Sequence, residues 1–327
     1  MDDTIYFHIP SFTSHKKLNM LLLLLMHDEP DLFYPNIKIG SIYDSFPNAA
    51  WNGGRIMLGA PYIYEQIEET YRTFNEMGVP LRHTFTNNSL EEFDVYDRYC
   101  NGIMELGNTG FNQVLVNSPI LESYIREKYP NYPIISSTTK RLVDIEDLNK
   151  ELANPDYHLV VLDYVLNRNP RIFTLDNKER LELLVDAYCC DGCTKRADHY
   201  KHMSEVQLGA ISCTADSAEQ MSGFSCMHIA QDFYTVISTR ISVIKVEELY
   251  GFYYQMGFRN FKIEGRTNNP ADVLESYMYY MVKPEYRDHA RLLILRQYLT
   301  PDQPGMVMLT QEEVEEIEKN RLAKSLN

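Results

Sequence analysis

The stretch FRNFKIEGRTNNPADVL, residues 258–274, carries an amine, a carboxylate and a guanidinium at alternate positions, Lys262, Glu264 and Arg266. On a strand, alternate residues share one face, so these three would project together while Phe261, Ile263 and Gly265 occupy the other. A buried lysine or glutamate can shift its pKa toward neutrality and move a proton, and an arginine grips an anionic group through paired hydrogen bonds. The three are therefore candidate catalytic residues. Charges on a buried face are costly unless paired, so the competing reading is an ionic network that only stiffens a core.

A second constellation is made of sulfur. The six cysteines are Cys100, Cys189, Cys190, Cys193, Cys213 and Cys226. A chain of 327 residues does not need disulfide staples, so the crowding of five thiols points to metal ligation. Cys190 and Cys193 have the C-x-x-C spacing that turns two sulfurs toward one centre, with Gly192 free to adopt a positive φ. Cys213 and Cys226 complete a set of four, and Cys189 is the alternative to Cys190. Four thiolates suit a [4Fe-4S] cluster or a tetrahedral zinc, and His199, His202 and His228 widen the zinc option. Cys100 falls in a helical segment and reads as a small core residue.

These groups need elements to position them. Runs rich in apolar and β-branched residues recur at 5–9, 37–43, 81–87, 113–118, 133–138, 158–164, 181–188 and 260–266. Segments of helical period lie at 14–28, 61–78, 90–106, 119–129, 144–153, 245–257 and 270–282. Some begin on caps, such as Asn88-Ser89 ahead of Glu91-Glu92, and Asn269 ahead of Pro270. Eight alternations without a Rossmann glycine fingerprint predict an α/β fold, a (β/α)8 TIM-like barrel over residues 1–283. A cysteine-bearing insertion, 189–240, follows the seventh strand, and a helical extension, 284–327, with helices at 284–299 and 311–326, closes the chain.

Active sites of such barrels lie at the C-terminal ends of the strands. The residues expected there are rich in amides and hydroxyls, and Asn87, Asn117, Lys140 and Asp163 are the candidate substrate-binding residues among them. Asn52-Gly53-Gly54-Arg55 follows the second strand on the same rim. Such a rim suits a small polar ligand: an amino acid, a sugar, a peptide or a nucleoside. No G-x-S-x-G, H-E-x-x-H or Walker motif occurs, which removes the usual support for serine hydrolase, zincin or NTPase chemistry.

Charge and hydropathy narrow the setting. With 31 Lys and Arg against 46 Asp and Glu the net charge is -15, which disfavours nucleic-acid binding except through a local basic pocket. The apolar run Leu18–Met26 is too short for a membrane span of about 20 residues, and no basic leader opens the chain. A cytoplasmic location is expected.

FKIEGRTNNPADV, 261–273, resembles the KIEGR segment of the collagenase-like peptidase family, peptidase family U-thirty-two. ELLVDAYCCDGC, 182–193, is similar in placement to that family's first cysteine element. The resemblance runs over about residues 110–285. It implies a barrel bearing a [4Fe-4S] cluster on four cysteines, as in members that hydroxylate tRNA or quinone precursors without oxygen, some of them working as paired subunits. Other members were named as proteases. Two departures stand out: the cysteine loop is shorter, and RISVIKVEEL, 240–249, lacks the cysteine usual ahead of the KIEGR strand. The expectation is thus an iron-sulfur barrel that modifies or binds a small polar or nucleotide-like substrate, with a partner subunit where the resemblance extends to the paired members. The alternatives are a peptidase or other metal-assisted hydrolase, and a non-catalytic binding protein with a structural metal.

Overall fold

A computed structural model describes residues 3–211 and 231–300. Eight parallel strands close into a barrel in chain order, with the first strand pairing both the second and the eighth. They are β1 (Ile5–Pro10), β2 (Ile37–Asp44), β3 (Leu81–Phe85), β4 (Gln113–Val116), β5 (Ile134–Ser136), β6 (Leu159–Val161), β7 (Leu181–Leu184) and β8 (Asn260–Lys262). The expected (β/α)8 TIM-like barrel is present. Its strands are short because only their central residues pair; β8 stops at Lys262, so Glu264 and Arg266 stand on the loop just past the barrel's rim.

Alternation within each strand divides the side chains. Phe7, Ile9, Ile42, Leu81, Phe85, Val114, Val116, Leu183 and Phe261 belong to the main apolar core between strands and helices. Helices α1 (Lys16–Asp28), α2 (Tyr64–Glu76), α3 (Arg98–Leu106), α4 (Pro119–Lys128) and α5 (Ile145–Ala153) cover the first five strands. α1 turns Leu18, Leu21, Leu22 and Leu25 inward, and α3, α4 and α5 start on Asp97, Ser118 and Asp144, whose side chains accept first-turn N–H groups. Cys100 is buried on α3, in the core as expected.

The connection from β6 to β7 has no α-helix; three 3-10 turns, Tyr164–Leu166, Pro170–Thr174 and Lys178–Arg180, replace it. The insertion after β7 contains α6 (Arg196–Ile211) and α7 (Phe233–Thr239). A short α8 (Val246–Glu248) runs into a π-turn, Leu249–Tyr253, before β8; α9 (Pro270–Met281) and α10 (Arg287–Tyr298) follow. α10 packs against α1 and α9 with Ala290 and Ile294 buried.

Two helices are shorter than their periodicity predicts. The one expected over 90–106 starts only at Arg98, because Asp97 caps it and a 3-10 turn occupies Asp94–Tyr96. The one expected over 245–257 is a single turn plus the π-turn. No helix among the described residues is long and apolar enough to cross a membrane. Cys213, Cys226, His228 and the segment 311–326 lie outside the described residues.

Candidate functional site: a polar cavity at the C-terminal mouth

The barrel's lumen is apolar on one side only. Leu115, Ile135, Leu159 and Val161 from β4, β5 and β6 form a small cluster there. The opposite side is ionic, whereas branched apolar residues usually dominate such lumens. At its centre Glu182 on β7, fully buried, accepts from Arg82 Nη1 on β3 at 2.5 Å and faces Lys262 Nζ at 3.3 Å. Arg82 also donates Nε–H to Gln113 at 2.8 Å and Nη2–H to His8 Nδ1 at 3.0 Å. The Ser41 hydroxyl, 2.9 Å from the same Nδ1, is a second donor to it. His8 Nε2 therefore carries the hydrogen and donates to Asn260 Oδ1 at 3.0 Å.

This network sets the protonation states. Burial would raise Glu182, but the charges of Arg82 and Lys262 and the Arg82 hydrogen bond outweigh it and hold the carboxyl well below the usual range. Burial pushes His8 down to about 3 despite Glu182, so its ring is neutral. Lys262 is pushed down to about 8 by burial, with Glu182 opposing the fall and Arg82 and Arg266 adding to it. Its Nζ lies 3.9 Å from the centroid of the Tyr43 ring, and the Tyr43 hydroxyl donates to Ile263 O at 2.5 Å. An amine that titrates near neutrality at the end of a barrel strand can serve as a general acid or base.

Above the network a cavity of about 530 Å³ opens at the strands' C-terminal ends. Lys262, Glu264 and Arg266 all line it, as do Tyr43, Arg55, Arg196 and Cys189. Glu264 pairs with Arg55 and accepts the Tyr188 N–H at 3.0 Å. Arg266 donates to Thr84 Oγ1 at 2.6 Å, Asn52 Oδ1 at 3.0 Å and the Gly53 carbonyl at 2.8 Å. The loop after β2 thus supplies both a partner for Glu264 and acceptors for Arg266. Gly53 makes that possible: a Cβ there would lie 2.4 Å from the Thr86 carbonyl group. Gly265 answers a similar need within KIEGR, where a Cβ would meet Val273 Cγ2 at 2.8 Å and Pro10 Cγ at 3.0 Å.

The four expected substrate-binding residues are not on the cavity lining; they support it or stand apart. Asn117 donates to Thr139 Oγ1 at 2.8 Å, and Asp163 pairs with Arg196, so each holds a residue that does line the cavity. Asn87 donates to Ala50 O and Ser204 O at 3.0 and 3.2 Å and so ties α6 to the rim. Lys140 is drawn between α4 and α5 by Glu151 at 2.7 Å, Tyr157 at 2.8 Å and Glu122 at 3.4 Å. A long cation beside two carboxylates has no reason to reach the mouth.

Asp186, just past β7, was not among the candidates. It is fully buried, accepts the Glu264 N–H at 2.7 Å and the Ser276 hydroxyl at 3.1 Å, and so anchors the loop that carries Glu264. Burial raises it to about 8, the Glu264 N–H opposing and the Glu264 carboxylate adding. A folded-state pKa above the unfolded value of about 3.9 stabilises the fold fully below pH 4 and loses that contribution as pH rises through 8. Asp186→Asn should therefore lack this loss. Urea midpoints at pH 5 and pH 8.5 should fall more for wild type than for the variant; equal falls would show that Asp186 ionises normally.

The cysteine turn sits beside the cavity. Cys189 lines it, packs with Tyr164, Leu184 and Ala187, and has its thiol pKa raised by burial. Cys190 and Cys193 are half-buried in one turn, the Cys193 N–H donating to Cys190 O at 3.3 Å and Gly192 taking φ +69°. Asp191 accepts the N–H groups of Ile241 and Ser242 at 2.8 and 3.2 Å, which fastens the turn to the chain leading into β8. Among the described residues no group of three or more His, Cys, Asp or Glu could hold a metal ion. Of the expected ligand set only Cys190 and Cys193, or Cys189 in place of Cys190, are described.

No family model matches the chain, and no curated protein matches it. A solved structure, that of the U32 peptidase Mk0906, is similar to it with 12% identity and a TM-score of 0.46, covering 80% of this chain and 93% of that one. At that identity the likeness concerns the fold alone.

Proposed function

We propose that the chain is an enzyme that binds a small polar or nucleotide-like substrate in the mouth cavity and modifies it there. The observation that supports this reading is the gathering of Lys262, Glu264 and Arg266, with Tyr43 and Arg55, around one cavity at the C-terminal end of a parallel barrel. Lys262 exchanges a proton with the substrate, since its amine titrates near neutrality. Glu264 is oriented by Arg55 and the Tyr188 N–H and presents a fixed carboxylate. Arg266, held by three acceptors, orients the substrate without reorganising.

The resemblance of KIEGR and of the cysteine element supports a cofactor as well. Cys190, Cys193, Cys213 and Cys226, with Cys189 as the alternative to Cys190, would hold a [4Fe-4S] cluster; zinc is the alternative. A cluster held there would supply one-electron transfer beside the cavity. The position of Cys189 on the cavity lining favours a redox role over a remote structural one. Anaerobic purification followed by iron, sulfide and zinc analysis and EPR of the reduced protein tests this. Iron and sulfide in equal amounts are expected, and their loss in Cys193→Ser. Zinc, or no metal after reconstitution, would overturn the iron-sulfur reading.

A further inference from the structure

Arg196, the first residue of α6, is a cavity-lining cation with most of its hydrogen-bonding capacity unspent. It is 3% exposed, its Nη2 is taken by Asp163, and its guanidinium lies 4.3 Å from the centroid of the Tyr164 ring. Nε and Nη1 have no hydrogen-bond partner among the described residues. These two nitrogens carry three N–H bonds, and a buried guanidinium does not leave three donors idle without loss. The Tyr188 hydroxyl, 5% exposed on the same lining, makes no close hydrogen bond among the described residues either.

Unused donors ask for an acceptor with several lone pairs. Asp163 pairs with Arg196, Glu264 pairs with Arg55 and Asp44 acts on Arg266 through its charge, but Glu182 alone faces both Arg82 and Lys262, and the hydrogen bonds of Arg266 all go to neutral oxygens. A group that carries negative charge meets both requirements, and a planar guanidinium fits a carboxylate or phosphate edge better than a single hydroxyl. The overall charge of -15 would repel such a group elsewhere, so the cavity must supply the attraction.

We propose that Arg196 is the anchor for an anionic group of the substrate, a carboxylate or a phosphate, bound in the mouth cavity. This rests on the cavity being the substrate site and names the chemistry that site selects. Arg196 is a positioning residue here: it fixes one end of the ligand while the groups on and after β8 act on the other.

Calorimetric titration at constant ionic strength with inorganic phosphate, with malonate and with neutral glycerol tests it. One of the two anions should bind saturably and glycerol should not, and which anion binds identifies the group. Arg196→Lys, which keeps the charge but loses the fork, should weaken binding at least tenfold. The Asp163→Asn/Arg196→Met pair, which leaves no buried charge unmatched, should abolish it while circular dichroism stays native. Binding of neither anion to the wild type, or equal binding to the double variant, would overturn the proposal. Anion binding that survives in protein shown to lack iron would remove the proposed redox reaction and leave this site standing.

Discussion

Glu182→Gln should destabilise the protein by about 3–5 kcal/mol, the cost of removing one member of a buried charge cluster. Glu182 and Arg82 are both fully buried, and Lys262 is nearly so. Glutamine fills the same volume and can still accept from Arg82, so the loss isolates charge from packing. Lys262 can relieve part of the imbalance by releasing its proton, but Arg82 cannot, since a guanidinium stays charged. A surface pair makes the comparison: Arg171 and Glu146 are 58% and 65% exposed, and Glu146→Gln should change stability by only about 0–1 kcal/mol. Urea unfolding of the two variants side by side measures the difference. A Glu182→Gln loss below about 1 kcal/mol would mean that the lumen is hydrated and the cluster loosely held.

The second large effect concerns Lys262. With its pKa near 8, about half of the amine is unprotonated at pH 8, against roughly 0.4% for an ordinary lysine of pKa about 10.4. The folded-state pKa lies below the unfolded one, so the neutral, reactive form gains population as pH rises through 8 instead of through 10. Labelling with cyanate, a reagent small enough for the cavity, followed by peptide mass spectrometry should give a pH profile for Lys262 with its midpoint near 8. Exposed Lys150 in the same digest supplies the reference. Glu182→Gln should move the Lys262 midpoint lower still, because the carboxylate is what holds the proton on. A Lys262 midpoint above 10 would show that its burial is not what the geometry describes and would remove it as a proton-transfer group at neutral pH.

Much of the architecture can be read from local patterns, because each strand is a short apolar run and each crossover a segment of helical period. Alternating charges marked the eighth strand, and Lys262 does reach the lumen from it. A related signal was available elsewhere: His8 and Glu182 are lone charged or ionisable residues within the runs of β1 and β7, and Arg82 opens the polar triplet Arg82-His83-Thr84 inside β3. What local patterns cannot carry is the pairing. Arg82 meets Glu182 across 100 residues of sequence and His8 meets Asn260 across 252, contacts created only by closing the barrel. Rim residues fared differently because the ends of strands are set by hydrogen bonding rather than by residue type. Lys140 finds carboxylates on α4 and α5, and Asn87 and Asn117 spend their amides on the scaffold. Arg196 had no signal at all, since the insertion that bears it carries no periodic pattern strong enough to place a side chain.

A crystal structure of the anaerobically purified protein, soaked with a library of amino acids, sugars and nucleosides, tests most directly whether the chemistry resides at the barrel's mouth. Ligand density is expected in the cavity, within hydrogen-bond distance of at least two of Lys262, Glu264 and Arg266. Ligands bound only elsewhere on the surface, or Lys262 and Arg266 turned out to bulk solvent, would contradict it.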